Sequence, residues 1–388
     1  MNFHFSEEEQ DILSTLHDFC VNEVAPRAQE IDAEERFPQE ARDQLGEMGF
    51  MGMYFPEEYG GAGLSYLSYI AACEELAYHC ATTSVVFSAH ESLCCWPIFK
   101  YGTEEQKQKY LTPLASGEKL GAFGLTEPGA GTDAAMQKTV AKDEGDHWVL
   151  NGSKVFITNA QFADIFVVFA MVYRPDYKEK PYTNKDISAF IVERDFEGFS
   201  VQGHELKMGI RGSSTCSLYF DNCIVPKENL LGDIGKGFKV AMTTLDGGRI
   251  GIAAQALGIA QAAIDETVKY DKERIQFGRP IWAFQNTQFQ LADMQTKVDA
   301  ARLLIYRAAQ AKQDGEPHSH LAAMAKLFAS ETASDVARRC VQLVGGNGYS
   351  REYPFERHMR DAKITEIYEG TSEVQRMVIA GYLGNKIK

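Results

Sequence analysis

Long apolar runs are missing from this chain of 388 residues. The longest uninterrupted one, Ile165–Tyr173, falls far short of the roughly 20 residues that cross a bilayer, so no membrane insertion is expected. Met1-Asn-Phe-His-Phe5 leads straight into acidic sequence, with no basic segment and apolar core, so no signal peptide is expected either. Basic residues are outnumbered: Lys plus Arg total 39 against 54 Asp plus Glu, a formal charge of −15. Nucleic acid and anionic membrane both demand a basic footprint, which excludes them as principal partners. The eight cysteines contain no C-x-x-C, and Cys94 and Cys95 are adjacent. That usage points to buried thiols in a reducing cytoplasm, with no disulfide framework and no metal site. G-x-S-x-G, H-E-x-x-H and a G-x-G-x-x-G following a strand are also absent. Hydrolase, metalloprotease and nicotinamide-Rossmann chemistry therefore lack their signatures.

What is present describes an ordinary globular protein, 45% hydrophobic and 24% charged, long enough for two or three domains. The charge is unevenly spread. Residues 1–50 carry 3 basic and 13 acidic groups, whereas residues 236–388 carry 21 basic and 17 acidic. The acidic cluster near the start reads as the solvated face of helices.

The pattern changes twice along the chain, giving an α+β multidomain protein. Residues 1–120 read as an N-terminal helical domain. Ser6-Glu-Glu-Glu9 is a capping box, and Pro26 is expected to end the first helix. Pro38 opens a second helix, and Leu64–Cys80, Ser84–Phe99 and Glu104–Leu114 continue the helical region. Residues 121–235 read as a middle β domain, a barrel or sandwich. Asn151-Gly152 between two β-prone runs predicts a hairpin, and Ile165–Tyr173, Ile187–Glu193 and Thr215–Asp221 are further strands. Residues 236–388 read as a C-terminal four-helix bundle. It is built on the Ala-rich, nearly uncharged Gly251–Lys269 and on Phe284–Asp314 and His318–Val344.

Four segments carry candidate chemistry. Gly124-Leu-Thr-Glu-Pro-Gly-Ala-Gly-Thr-Asp133 sits where helix gives way to sheet, and is either a ligand cradle or a flexible turn. Arg249, in Leu245-Asp-Gly-Gly-Arg249, either binds an anion or caps a neighbouring helix. Arg274 and Arg279 bracket Phe277-Gly278; guanidinium forks suit phosphate, and a solvated helix end explains them equally well. Finally, Gln342-Leu-Val-Gly-Gly-Asn-Gly-Tyr349 is followed by Arg357–Asp361 and by Ile367-Tyr-Glu-Gly-Thr-Ser372. Ser372-x-x-Gln375 reads as a second capping box, making Gly370–Ser372 a helix N-terminus. Glu369 stands at that break, where a rigidly held carboxylate serves as a base or merely caps the helix.

Taken together and in this order, these segments resemble the acyl-CoA dehydrogenase family over essentially the whole chain. The likeness is closest to its bacterial short-chain branch, the butyryl-CoA dehydrogenases. It is carried by Leu245–Ala260, by Met359–Gln375, and by the two family signatures at Gly124–Asp133 and Gln342–Asp361. The first signature ends on Met136, where a small residue is usual.

The resemblance implies FAD, a helical–β–helical architecture and a homotetramer. It implies that Leu125, Thr126 and Thr132 line the flavin and that Phe156, Ile157 and Thr158 pack around its ring, Phe156 standing where many relatives have Trp. It implies that Arg274, Gln285 and the Gln342–Gly346 turn, with Gly345 and Gly346, hold the nucleotide end of a neighbouring subunit's FAD, and that Thr371 and Glu373 complete the pocket. Asp246, Arg249, Gly370 and Thr132 fall where relatives contact acyl-CoA.

The implied reaction is α,β-dehydrogenation of an acyl-CoA to a trans-2-enoyl-CoA, with electrons passed to electron-transferring flavoprotein. Glu369 is the implied base, its backbone N–H and a flavin ribityl hydroxyl holding the thioester oxygen. Isovaleryl-type relatives carry the base where this chain has Gly248, which has no side chain. Glutaryl-type relatives carry an arginine near Ser84, and no Arg or Lys occurs from Ala81 to Phe99.

Glu91 departs from the short-chain pattern, where Thr is usual. It pairs with His90 or a backbone donor, or it faces substrate. In the second case an alicyclic thioester, cyclohexane- or cyclohexene-carboxyl-CoA, is the alternative substrate. Enoyl-CoA reduction, the reverse direction, also stays open.

Overall fold

The computed structural model describes residues 5–386 except 177, 178 and 181. The Met1–His4 part of the leader reading lies outside the described residues.

Among the described residues eight helices precede the sheet: α1 (Glu7–Phe19), α2 (Ala28–Glu34), α3 (Gln39–Glu47), α4 (Tyr66–His79), α5 (Ala81–Ala89), α6 (Trp96–Tyr101), α7 (Glu104–Gln106) and α8 (Thr112–Ala115). The Ser6 capping box forms, Ser6 Oγ accepting from Glu9 N and Glu9 Oε2 accepting from Ser6 N. Pro26 does not end the helical path. The chain runs through a π turn, Cys20–Val24, and a 3₁₀ turn, Ala25–Arg27, into α2. Pro26 occupies the first turn of the 3₁₀ segment, where a missing N–H costs nothing. A second π turn, His90–Cys95, splits the expected Ser84–Phe99 helix and carries Glu91 and Leu93. Such widened turns recur at functional sites because they re-aim side chains.

The middle region is one eight-stranded mixed sheet: β1 (Gly121–Gly124), β2 (Val140–Asp143), β3 (His147–Thr158), β4 (Ile165–Val172), β5 (Ile187–Glu193), β6 (Phe199–Gln202), β7 (Thr215–Pro226) and β8 (Leu230–Leu231). Its order is β6-β7-β3-β2-β4-β5-β8, with β1 parallel to β4. The expected hairpin at Asn151-Gly152 is absent, because β3 is a single strand paired along its length with β7. The glycine instead makes a register shift between Leu150 and Gly152. Its φ of 146° suits glycine, and a Cβ there would lie 2.5 Å from Thr139 Oγ1.

The apolar run at 165–172 is uninterrupted because β4 is buried on both faces. Ile165, Val167, Phe169 and Met171 join the core shared with the N-terminal helices, while Phe166, Val168 and Ala170 join the core on the other face.

The C-terminal helices are α9 (Gly237–Glu273), α10 (Gln285–Gln313), α11 (Ser319–Val344), α12 (Gly346–Tyr349), α13 (Phe355–Ile364) and α14 (Ser372–Lys386), with a small ribbon of β9 (Ile275–Gln276) and β10 (Arg279–Pro280). α9 begins well before Gly251, spans 37 residues, and is packed by α4, α10 and α11. All eight cysteines are buried and unbridged, and among the described residues no helix is long and apolar enough to cross a membrane.

Candidate active site

Glu369 sits between α13 and α14 with φ 53°, in the left-handed region that non-glycine residues seldom adopt. Three side chains hold this strained turn. Lys326 Nζ donates to Gly370 O at 2.7 Å, and Gln375 Nε2 donates to Gly370 O at 2.8 Å and Glu369 O at 3.3 Å. Arg249 Nε reaches Glu369 O at 3.5 Å. Behind the turn, Tyr368 OH donates to Gln255 Oε1, and Gln255 Nε2 donates to Ala81 O at 2.8 Å.

The Glu369 carboxylate projects onto α9. A Cβ built on Gly248 would meet Glu369 Oε2 at 2.0 Å, so only glycine leaves room. Oε2 is buried and has no hydrogen-bond partner. Burial pushes the Glu369 pKa up to about 7, against the opposing pull of the Lys326, Arg249 and Lys312 cations. The same burial brings Lys326 down to about 8 and Lys312 down to about 7. Lys312 Nζ lies 4.2 Å from the Tyr66 ring centroid and 5.0 Å from that of Trp96.

Arg249 is buried and not free to take an anion alone. Its Nη1 contacts Asp246 Oδ1 at 2.7 Å, and Ser319 Oγ donates to the same oxygen at 2.9 Å. A cavity of about 650 Å³ opens beside Asp246, bordered by Pro317, His318, Ser319, Val378 and Tyr382.

Glu91 is fully buried beside this region. Its Oε1 accepts from Met53 N at 2.9 Å, its Oε2 has no partner, and burial holds its pKa well above the usual carboxylate range. It does not pair with His90. That ring accepts from Gly121 N through Nδ1 at 3.0 Å, and its Nε2 lies 3.1 Å from both Met51 O and Leu114 O.

The Gly124–Asp133 loop is anchored from below. Buried Lys154 donates to Leu125 O at 3.2 Å, Glu127 Oε1 at 2.7 Å and Gln137 Oε1 at 3.1 Å, while Val155 N donates to Thr126 O at 2.9 Å. Immediately after Lys154, the β3–β7 register shifts again. Phe156 takes φ 59° and is 63% exposed, while Ile157 is buried. Among the described residues the hydroxyls of Thr126, Thr132 and Thr158 make no internal hydrogen bond. Met136 ends this stretch exposed on a 3₁₀ turn, where its size displaces nothing. Leu125 packs in the same core as Leu245 and Trp96, which ties the loop to the Asp246 end of α9.

Other expected residues lie elsewhere. Arg274, Gln285, Gln342, Gly345 and Gly346 are exposed at the far end of the bundle. Twenty-five helical steps separate Gly248 from Glu273, a rise of about 38 Å. One chain therefore does not bring them to its own Glu369. Thr371 and Glu373 begin α14, but the expected Ser372 capping box is not made. Val374 N donates to Thr371 Oγ1 at 3.4 Å, Ser372 Oγ has no partner, and Gln375 turns back to the 369–370 carbonyls.

Lys326, Lys312 and Gln255 escaped the sequence reading, and Gln375 entered it only as a capping-box residue. Lys326 alone had left a signal, a charge in register with the buried Ala322, Ala329 and Ala333 on one face of α11.

Family models for the acyl-CoA dehydrogenase N-terminal, middle and C-terminal domains match residues 6–118, 122–223 and 235–383. The chain belongs to the acyl-CoA dehydrogenase family. It is 56% identical to a short-chain specific acyl-CoA dehydrogenase of Clostridium acetobutylicum, over 98% of this chain and 99% of that one. The structure of butyryl-CoA dehydrogenase from Megasphaera elsdenii matches with a TM-score of 0.95 and 52% identity, covering 99% and 100% of the two chains. A chain from a structure of the electron transferring flavoprotein of Acidaminococcus fermentans, described in terms of flavin-based electron bifurcation, matches with a TM-score of 0.95 and 53% identity over 99% of each. As a member of the acyl-CoA dehydrogenase family, the protein is a flavin-dependent oxidoreductase with the three-domain fold of that family.

Proposed function

We propose that this protein is an FAD-dependent short-chain acyl-CoA dehydrogenase. It removes an α-proton and a β-hydride from an acyl-CoA thioester, leaves a trans-2-enoyl-CoA and passes electrons to electron-transferring flavoprotein. The observation that carries the reading is the Glu369 carboxylate standing over Gly248, buried and clamped at both neighbouring carbonyls.

The residues suit a flavin. The exposed Phe156 ring stands on a bulge beside a tied-down loop whose threonine hydroxyls are unspent, which supplies both a stacking surface and donors. Leu125, Thr126, Thr132, Phe156, Ile157 and Thr158 would hold it, with Thr371 and Glu373 closing the pocket. A flavin bound there supplies a hydride acceptor.

Glu369 takes the α-proton. Its pKa near 7 makes it a stronger base than an exposed carboxylate while leaving much of it ionised at neutral pH. The carbon acid is weak, so the thioester oxygen needs donors as charge develops on it. The Glu369 N–H serves as one, since the clamp engages the carbonyls of 369 and 370 and not this N–H. Lys326, Gln375 and Arg249 fix the turn, so that base and donor move as one unit. Asp246, Arg249 and Gly370 border the acyl-CoA path. Run backwards, the same residues protonate the α-carbon of an enoyl-CoA.

Because α9 separates Arg274 from Glu369, the nucleotide-end residues serve another copy's cofactor in a homotetramer.

Glu91 favours a second reading. A buried carboxyl with a free Oε2, close enough to influence Tyr54, Tyr66 and Tyr69, is a second acid–base group of the kind that relatives acting on alicyclic thioesters can carry in this region. Bleaching of flavin absorbance by butyryl-CoA and by cyclohexanecarboxyl-CoA, in wild type and Glu91→Thr, separates the two. Faster bleaching by butyryl-CoA in both proteins supports the short-chain assignment. A preference for the alicyclic thioester that Glu91→Thr abolishes supports the second reading.

A further inference from the structure

Outside the active site, one cluster brings three metal-ligating groups together from two helices. His17 lies in the last turn of α1, and Glu75 and His79 stand one turn apart on α4. His17 Nδ1 is 2.8 Å and His79 Nε2 3.0 Å from the same oxygen, Glu75 Oε1, and all three ligand atoms lie within 4.8 Å of one another. The two rings sit 6.1 Å apart at 63°, both with a nitrogen turned inward. Among the described residues, Glu75 pairs with no Lys or Arg that would compete for its carboxylate.

We propose that His17, Glu75 and His79 form a zinc-binding site that staples α1 to α4. Tetrahedral zinc with bonds of about 2.0–2.2 Å places its ligand atoms about 3.3 Å apart. The two nitrogen–oxygen distances, 2.8 and 3.0 Å, fall just below that spacing and need to open by only a few tenths of an ångström. Two imidazoles and one carboxylate suit zinc and its transition-metal neighbours rather than calcium or magnesium, which demand mainly oxygen.

Three protein ligands leave a fourth position for water. With 57% of its side-chain surface exposed, His17 leaves an approach from solvent. Cys20 and Cys80 lie close by but are buried, and neither sulfur joins the three ligand atoms that lie within 4.8 Å of one another. The sulfurs therefore stay outside the ligand set.

The site stands apart from the chemistry. Thirteen helical steps, about 20 Å, separate His79 from Tyr66 at the active-site end of α4.

The test uses tag-free holoenzyme stripped with a chelator and titrated with zinc chloride. One zinc per chain is expected, with a rise in the thermal midpoint as zinc saturates the folded state. X-ray absorption should show a first shell of nitrogen and oxygen near 2.0–2.2 Å and no sulfur near 2.3 Å. His17→Ala, an exposed substitution that leaves the core intact, should lose the thermal shift and weaken binding roughly 100-fold, with flavin content and turnover unchanged. Equal zinc affinity in wild type and His17→Ala, or a sulfur in the first shell, overturns the proposal.

Discussion

The two ends of α9 carry opposite kinds of site. Around Gly248 the charged groups are buried. Arg249 is paired with Asp246, Lys326 is bonded to a carbonyl, and Glu369 is shifted to about 7 by the lack of water. Around Arg274 the groups offered to a ligand are open to solvent. Arg274, Gln285 and Gln342 are exposed, and Phe277 beside them is 94% exposed with Tyr349 at 85%. The first end tunes proton affinity, which needs low dielectric and fixed partners. The second can only grip something brought to it. On the proposed reading, chemistry is completed inside one chain, whereas the grip gains its meaning in an assembly.

Breaking the enclosed end should produce the largest effect. Glu369→Gln should cut flavin reduction by acyl-CoA by roughly 10²–10⁴-fold while FAD stays bound, as followed by stopped-flow absorbance. Gly248→Ala keeps every titratable group but drives a Cβ into the carboxylate, and a displacement near 1 Å should cost about 10²-fold in the same assay. Arg274→Ala addresses the open end. It should weaken FAD retention about 10-fold or more through the loss of charge-assisted hydrogen bonds, with no change in the pH dependence of the protein that keeps its flavin. If that pH profile moved as well, the two ends would not be independent.

The smallest change sharpens the comparison most. In wild type, kcat/KM should fall as pH drops below about 7, because protonation of Glu369 removes the base. Lys326→Met deletes a cation that favours the ionised form, so this limb should move to higher pH and the loss should be greater at pH 7 than at pH 9.

Elements whose burial is simple were legible in the sequence. β5 matches its apolar run residue for residue, and α10 and α11 begin and end within one residue of their patterns. Asn151-Gly152 misled because a bulge and a turn both call for a positive φ at glycine, and only β7 lying alongside decides between them. Pro26 misled because a proline's missing donor matters only where the helix needs it.

At the site, the break that carries Glu369 was legible, whereas its reading as a base and the significance of Gly248 came only with the family resemblance. Gln255 and Gln375 were not legible, since a glutamine aimed inward from a helix looks like one aimed outward until the helix is packed. The direction of Glu91 was open for the same reason. His90 offered an obvious partner one residue away, yet the carboxylate took the amide of Met53, 38 positions back along the chain.

The 37 uninterrupted residues of α9 have a consequence that no contact in the protein reveals. On the proposed reading, the helix fixes both the distance and the angle between the proton-transfer site and the grip on another copy's cofactor. One residue inserted between Gly251 and Lys269 would advance Arg274 by only about 1.5 Å but swing it about 100° around the axis. Every side chain could survive such an insertion, and the assembly would still present its guanidinium in the wrong direction. Over this stretch residue count is itself a constraint, so substitutions should be tolerated far more readily than any change of length.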